Sequence, residues 1–208
     1  MNNTPRLLYS LTSPYSRKVM IVADEKGIEF DAVIDVPWNI DTKVPDFNPL
    51  GKVPVWIRED GSALFDSRVI VEYLDGIKNA GEFIPLELNA RIAVKRWEAV
   101  ADGIMDAALV IFAERFKRPQ ELAYADWVER QFGKIHRGLA LLNEELGDRE
   151  YFHGNKLSLA DIAVVCALGY VGLRFSEDFN WQKNNPRLAA LYERLMELES
   201  VNASVPVV

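Results

Sequence analysis

The sequence predicts an α/β domain built on a four-stranded mixed sheet, followed by a domain made of helices alone. Two observations point to the first. Short apolar runs of strand character alternate with helical spacing through the first third of the chain, and the pair Asp60-Gly61 stands where a tight hairpin turn needs positive φ angles. A third observation points to the second domain: from Leu86 to Phe116 there is no proline, and the apolar residues recur at helical spacing.

Taken in order, Leu7 to Tyr9 is the first strand, and Tyr15 to Lys26, closed by Gly27, the first helix. Phe30 to Val36 reads as the second strand, Val55 to Ile57 as the third and Ala63 to Phe65 as the fourth, giving a β-α-β unit and then a hairpin. A closing helix runs through Val69, Ile70, Tyr73 and Leu74. Lys78 to Pro85, with Asn79, Gly81 and Pro85, has the composition of a linker, so the expected domains are residues 1–79 and 86–208, joined by 80–85. In the second domain Ile92, Trp97, Val100, Ile104, Ala108, Ile111 and Phe112 mark one long helix, and Tyr124 to Leu146 a second, between Pro119 and Gly147. Ser158-Leu159-Ala160-Asp161 reads as a capping box opening the helix that carries Cys166. A last amphipathic helix starts at Asn185-Pro186-Arg187 and presents Leu188, Leu191, Leu195 and Leu198.

The 208 residues, 49% apolar and 26% charged, suffice for a sizeable core. A net charge of -7 with no basic run argues against nucleic acid as a partner. Cys166 is the single cysteine and lies in the apolar stretch Ile162 to Val171; it reads as a small buried hydrophobe and leaves no internal disulfide to form. His136 and His153 are isolated, without cysteine or carboxylate at metal-ligand spacing, so no metal is expected. No apolar run reaches the ~18 residues of a membrane span, and Met1 to Pro5 lacks the pattern of a secretory leader. A cytoplasmic protein with no membrane partner is the expectation.

Three motifs carry chemistry. Ser13-Pro14-Tyr15-Ser16 stands where the first strand gives way to the first helix, with the spacing of a thioredoxin-type Cys-x-x-Cys site and serine at both sulfur positions. A hydroxyl there can hold a thiolate but cannot exchange disulfides, and unpaired N–H groups at a helix start favour negative charge. The plainer reading of Ser13 is a helix N-cap. In Asn48-Pro49-Leu50-Gly51-Lys52-Val53-Pro54-Val55, a loop with two prolines and a glycine leads straight into a strand. If the Val53-Pro54 bond is cis, Val53 turns its N–H and C=O sideways, where an extended peptide can pair with them. Asp66-Ser67-Arg68 opens a helix, and a serine hydroxyl beside free N–H groups can hold a carboxylate while the acid holds an amine. One amino-acid zwitterion fits that corner.

The order Ser13-Pro14-x-Ser16-Arg17, Asn48-Pro49-x-Gly51-Lys52-Val53-Pro54, Asp66-Ser67 and Ser158-x-Ala160-Asp161 resembles the cytosolic glutathione transferases, over nearly the whole chain. The resemblance implies a thioredoxin-like N-terminal domain, an all-helical C-terminal domain and a homodimer. It also implies glutathione as co-substrate and a small hydrophobic electrophile as the second substrate. Carried over residue by residue, Asp66 and Ser67 would take the γ-glutamyl end, Val53, before Pro54, would pair its backbone with the cysteinyl unit, and Lys52 would face the glycyl carboxylate. Ser13 would donate its hydroxyl to the sulfur, with Ser16 as second candidate. Some relatives have cysteine where Ser13 stands; with serine there, thiol-transfer activity is expected to be absent or very low. The alternatives on the same scaffold are a glutathione-dependent isomerase or dehalogenase, and a non-catalytic binding or protein-interaction module of the stress-response type.

The remaining candidates have plainer readings. Tyr9 reads as core, Tyr15 as wall or interface, and Trp38-Asn39 as a loop that could also line the glycyl end. Ile104, Met105, Leu109 and Phe112 fit an electrophile wall and a bundle core equally. Asp102 reads as a solvated helix carboxylate, with reach to a γ-glutamyl amine across a dimer interface as the sharper option.

Overall fold

A computed structural model describes residues 4–206. Its first unit contains β1 (Arg6–Tyr9), α1 (Pro14–Glu25), β2 (Asp31–Ile34), β3 (Val55–Ile57), β4 (Ala63–Leu64) and α2 (Ser67–Ile77). The sheet order is β2-β1-β3-β4, with β2 parallel to β1, and β3 antiparallel to both β1 and β4. This is the mixed four-stranded sheet expected from the sequence. Leu8 lies opposite Val33 on one side and Val55 on the other. Leu8, Val55 and Ile57 form a buried cluster with Val44, against which Phe47, Val53 and Ala63 pack. Leu7 and Trp56, paired across the same ladder, point to the opposite face by strand alternation. The apolar stripes of α1 and α2 (Val19, Ile21, Val22, Ile70, Val71 and Leu74) are wholly buried, and these two helices pack on each other. β2 is shorter than the expected Phe30 to Val36, and all four of its residues are exposed, as befits an edge strand paired on one side only.

The second unit, Glu87–Leu198, contains α3 (Leu88–Phe116), α4 (Ala125–Leu146), α5 (Leu159–Phe175), α6 (Trp181–Asn184) and α7 (Pro186–Leu195). α3 packs along both α4 and α5. Helix α5 is apolar around most of its circumference and buried from Leu159 to Leu168, including Cys166. Its start is the capping box read from the sequence: Asp161 accepts from the Ser158 N–H at 2.9 Å, from the Ser158 hydroxyl at 2.6 Å and from the Phe152 N–H at 2.8 Å. Burial pushes the Asp161 carboxyl above its ordinary value, against those hydrogen bonds.

The division differs from the expected 1–79 and 86–208 in two places. The first unit runs on to Leu86, and the chain rejoins it at Glu199. Residues 80–85 are linker-like in composition, yet the buried ammonium of Lys26 lies 2.7 Å from Asp75 and donates to the carbonyls of Lys78 and Asn79. Asp75 in turn accepts from the N–H groups of Gly81, Phe83 and Ile84, which fastens the segment down. At the far end α7 stops at Leu195, and a separate short helix, α8 (Glu199–Ala203), lies on α1. There the buried Arg17 guanidinium donates to the Val201 carbonyl at 2.9 Å and to the Ser204 hydroxyl at 3.3 Å. Among the described residues no helix is long and apolar enough to cross a membrane, and no group of His, Cys, Asp and Glu is arranged to hold a metal ion.

Candidate functional site

The register brings the three motifs to one end of the sheet. β1 runs toward Ser13, β3 begins opposite Leu8 just after Val53-Pro54, and β4 runs back past β3 into Asp66. The first-unit residues named from the sequence therefore gather at the C-terminal edge of β1. They come from a helix start, a loop and a second helix start.

Ser13 is the N-cap of α1, with extended backbone angles (φ −74°, ψ 116°), and its Oγ accepts from the Ser16 N–H at 3.1 Å. Its own N–H donates to the Ser10 carbonyl and its carbonyl accepts from Arg17, both at 3.0 Å, which fixes the residue in place. The cap uses an oxygen lone pair and leaves the hydroxyl proton available, so the capping and donor readings of Ser13 are compatible. Ser13 is half-buried. Ser16 has no exposed surface, and its hydroxyl has no hydrogen-bond partner among the described residues.

The Val53-Pro54 bond is cis. Pro54 is buried, and the Val53 side chain packs against the sheet cluster. Among the described residues nothing bonds to the backbone N–H or C=O of Val53. The Lys52 side chain is exposed. Asn48, two percent exposed, closes the loop behind them: its Nδ2 donates to the Lys52 carbonyl at 2.8 Å and its Oδ1 accepts from the Leu50 N–H at 3.0 Å. Nothing in the sequence of the Asn48–Pro54 motif alone gives Asn48 this task.

Asp66 is the N-cap of α2. One carboxylate oxygen accepts from the Arg68 N–H at 2.9 Å, and the other meets the Arg68 guanidinium at 3.1 Å, with both side chains about half exposed. Ser67, the first residue of α2, is two percent exposed. Among the described residues nothing hydrogen-bonds to its hydroxyl. Arg68 is thus a member of the corner that sequence reasoning passed over; its signal was the acid two positions earlier at a helix start. The corner offers a carboxylate, a serine hydroxyl and a guanidinium, which together suit a group bearing both an amine and a carboxylate.

The other candidates fall elsewhere. Tyr9 and Tyr15 are half-buried, and Trp38 is exposed on a loop closed by Asp35, which accepts from Thr42 Oγ1 at 2.6 Å and from the Lys43 N–H at 3.0 Å. Ile104 and Met105 are core residues of the helical unit, whereas Leu109 and Phe112 are half-buried. Asp102 is four percent exposed, which corrects its reading as a solvated carboxylate. His136 lies against Phe179, with ring centres 4.5 Å apart. A cavity of about 530 Å³ opens at the opposite end of the sheet, beside Thr4, Trp56, Arg58 and Tyr73, and includes none of the motif residues.

A family model described as the glutathione S-transferase N-terminal domain matches residues 12–77, and one described as the glutathione S-transferase C-terminal domain matches residues 125–194. The chain is 39% identical over 201 residues to an uncharacterized GST-like protein, YibF, of Escherichia coli (strain K12), covering 97% of this chain and 98% of that protein. Among solved structures it is similar to a glutathione S-transferase from Methylobacillus flagellatus KT with GSH bound, at 45% identity and a TM-score of 0.94, covering 98% and 100% of the two chains. It is similar as well to a glutathione transferase family member from Pseudomonas fluorescens Pf-5 with bound S-(propanoic acid)-glutathione, at 34% identity and a TM-score of 0.84, covering 99% and 100%.

Proposed function

The chain belongs to the glutathione S-transferase family, and from that premise we propose that it binds glutathione and transfers it to small hydrophobic electrophiles, with Ser13 as the catalytic hydroxyl. The observation that carries the proposal is the state of Ser13: an anchored helix cap whose oxygen is engaged and whose proton is left to give. In this reading Asp66 and Ser67 receive the γ-glutamyl end, the Val53 backbone pairs with the cysteinyl unit as an added strand, and Lys52 faces the glycyl carboxylate. The two relatives solved with glutathione and with an S-substituted glutathione support a site that takes the tripeptide and tolerates carbon on its sulfur. A homodimer and a cytoplasmic location complete the proposal.

The chemistry asked of Ser13 is modest. The thiol of glutathione loses its proton to solvent, the thiolate forms a bond to the electrophilic carbon, and either a halide leaves with the displaced electron pair or water protonates the adduct carbanion. Only the thiolate attacks efficiently. Lowering a thiol pKa by ~2 units takes roughly 2.7 kcal/mol of preferential stabilisation of the anion, within reach of one charge-assisted hydrogen bond and a helix N-terminus. Ser16, wholly buried, has no surface through which to meet a ligand.

Ser13→Ala tests this. Glutathione affinity is expected to stay within about threefold, while turnover of an activated aryl halide falls by about 10- to 100-fold, the loss of one hydrogen bond to a charged group. Undiminished turnover overturns the assignment. Retention on immobilised glutathione with no turnover by the wild type leaves a binding module instead.

A further inference from the structure

We propose that Asn48 is a positioning residue for glutathione: its side-chain amide clamps the Lys52 carbonyl and so aims the Val53 N–H at the ligand. The inference rests on the glutathione-binding reading above. Asn48 is buried in a loop whose neighbours Pro49, Leu50 and Lys52 are exposed, and all of its polar backbone and side-chain groups are committed. Its N–H donates to the Val44 carbonyl and its own carbonyl accepts from Gly51, each at 2.8 Å. Its Oδ1 accepts from the Leu50 N–H, and its Nδ2 donates to the Lys52 carbonyl. One side chain thereby spans the turn from Leu50 to Lys52, around a glycine at φ +61° that tolerates the left-handed backbone.

The anchor is rigid at its other end. Val44 has no exposed surface and belongs to the cluster of Leu8, Val55 and Ile57 against which Val53 also packs. The Lys52 carbonyl and the Val53 N–H share one planar peptide unit, and in a trans unit they point in opposite directions. Holding the carbonyl on Asn48 therefore turns the Val53 N–H away from the loop, and nothing among the described residues meets it there. A backbone donor so fixed loses no entropy when an extended peptide arrives to accept from it.

Two variants and one exchange measurement test the proposal, using the whole chain and S-methylglutathione, whose sulfur cannot ionise. Asn48→Asp keeps the acceptor for Leu50 but sets a carboxylate against the Lys52 carbonyl; Asn48→Ala removes both contacts. Each is expected to weaken S-methylglutathione binding about tenfold by calorimetry, on the scale of one hydrogen bond, and to raise KM for glutathione in step. The turnover number at saturation is expected to stay within about twofold, because Ser13 stands on a different element. In the wild type, hydrogen exchange at the Val53 amide slows on adding S-methylglutathione. Unchanged binding in the variants, a loss confined to the turnover number, or an unprotected Val53 amide in the wild-type complex each overturns the proposal. The amide measurement stands even if neither variant folds. A wild type that fails to bind S-methylglutathione sinks the glutathione reading itself, whereas a wild type that binds it alongside unaffected variants sinks only the role of Asn48.

Discussion

Ser13 caps α1 through its oxygen, and in the proposed reading it also gives its hydroxyl proton to the glutathione sulfur; substitution can separate the two. Ser13→Ala removes the cap as well as the donor and is expected to cost about 0.5–2 kcal/mol of stability, visible as a lower melting temperature. Ser13→Asp keeps an oxygen to accept from the Ser16 N–H but has no proton to give at neutral pH. It is expected to melt close to the wild type while losing turnover at least as severely as the alanine variant. A Ser13→Asp protein that melts as low as Ser13→Ala would mean that the cap bond is not what the hydroxyl contributes to the fold. The Ser13 cap, the strand entry at Val53-Pro54 and the helix start at Asp66-Ser67 were legible in the sequence because they are local signatures, set by neighbours within a few residues; that Asp66 rather than Ser67 is the cap was not. The burial of Ser16 and the clamp of Asn48 were not: an Asn-Pro turn reads alike whether its amide faces solvent or a carbonyl four residues on.

Between elements, α3 and α4 are tied by a polar joint. Arg96 meets the Glu145 carboxylate through two hydrogen bonds of 2.7 Å, and Trp97 Nε1 donates to the same group at 2.7 Å. The Arg96 bond, with lesser help from Trp97 and the nearby Arg149 charge, holds the Glu145 carboxyl below its ordinary value, with partial burial opposing. A folded-state pKa below the unfolded one gives stability that is present above the ordinary carboxylate range and is lost as pH falls through the depressed folded value. The stability advantage of wild type over Glu145→Gln is therefore expected to be constant near neutrality and to shrink as pH falls below about 4.5, the unfolded-state figure, in denaturation curves compared at each pH. Close by, a Cβ built on Gly138 would stand 2.7 Å from Ile104 Cγ1, inside the core of the helical unit. Gly138→Ala is expected to destabilise by about 1–3 kcal/mol through overpacking, against the usual gain of alanine over glycine in a helix; a urea midpoint raised by the substitution would refute the close approach. The helices themselves were readable from their spacing. How α4 sits on α3 was not, because a mid-helix glycine carries no statement of which neighbour it admits, and α8 was too short to show any periodicity.

At the scale of the molecule, the Lys26–Asp75 pair turns a linker-like sequence into a fixed edge of the first unit. Asp75→Ala removes the buried partner and leaves the Lys26 ammonium only the more exposed Glu82 carboxylate, 3.1 Å away, so it is expected to lower stability by about 3 kcal/mol, measured by urea unfolding. The double change Lys26→Met, Asp75→Leu is expected to recover part of the Lys26 penalty, but not the N–H groups of Gly81, Phe83 and Ile84 that Asp75 satisfied. A single variant as stable as the wild type would show that the segment is held by its apolar residues, Phe83 and Ile84, alone. The two-part organisation and the sheet were predictable because strand and helix periods change sharply near Pro85. The boundary itself was not, since a buried ion pair can recruit polar, glycine-containing chain that composition assigns to solvent. The return of α8 to α1 carries a consequence for biosynthesis. A ribosome delivers Glu199 only after the whole of residues 87–198 has been polymerised, so the unit begun first is the last to be completed. Until then Arg17, one turn past the Ser13 cap, waits for the Val201 carbonyl, and the nascent chain cannot yet hold its helix start as the finished protein does.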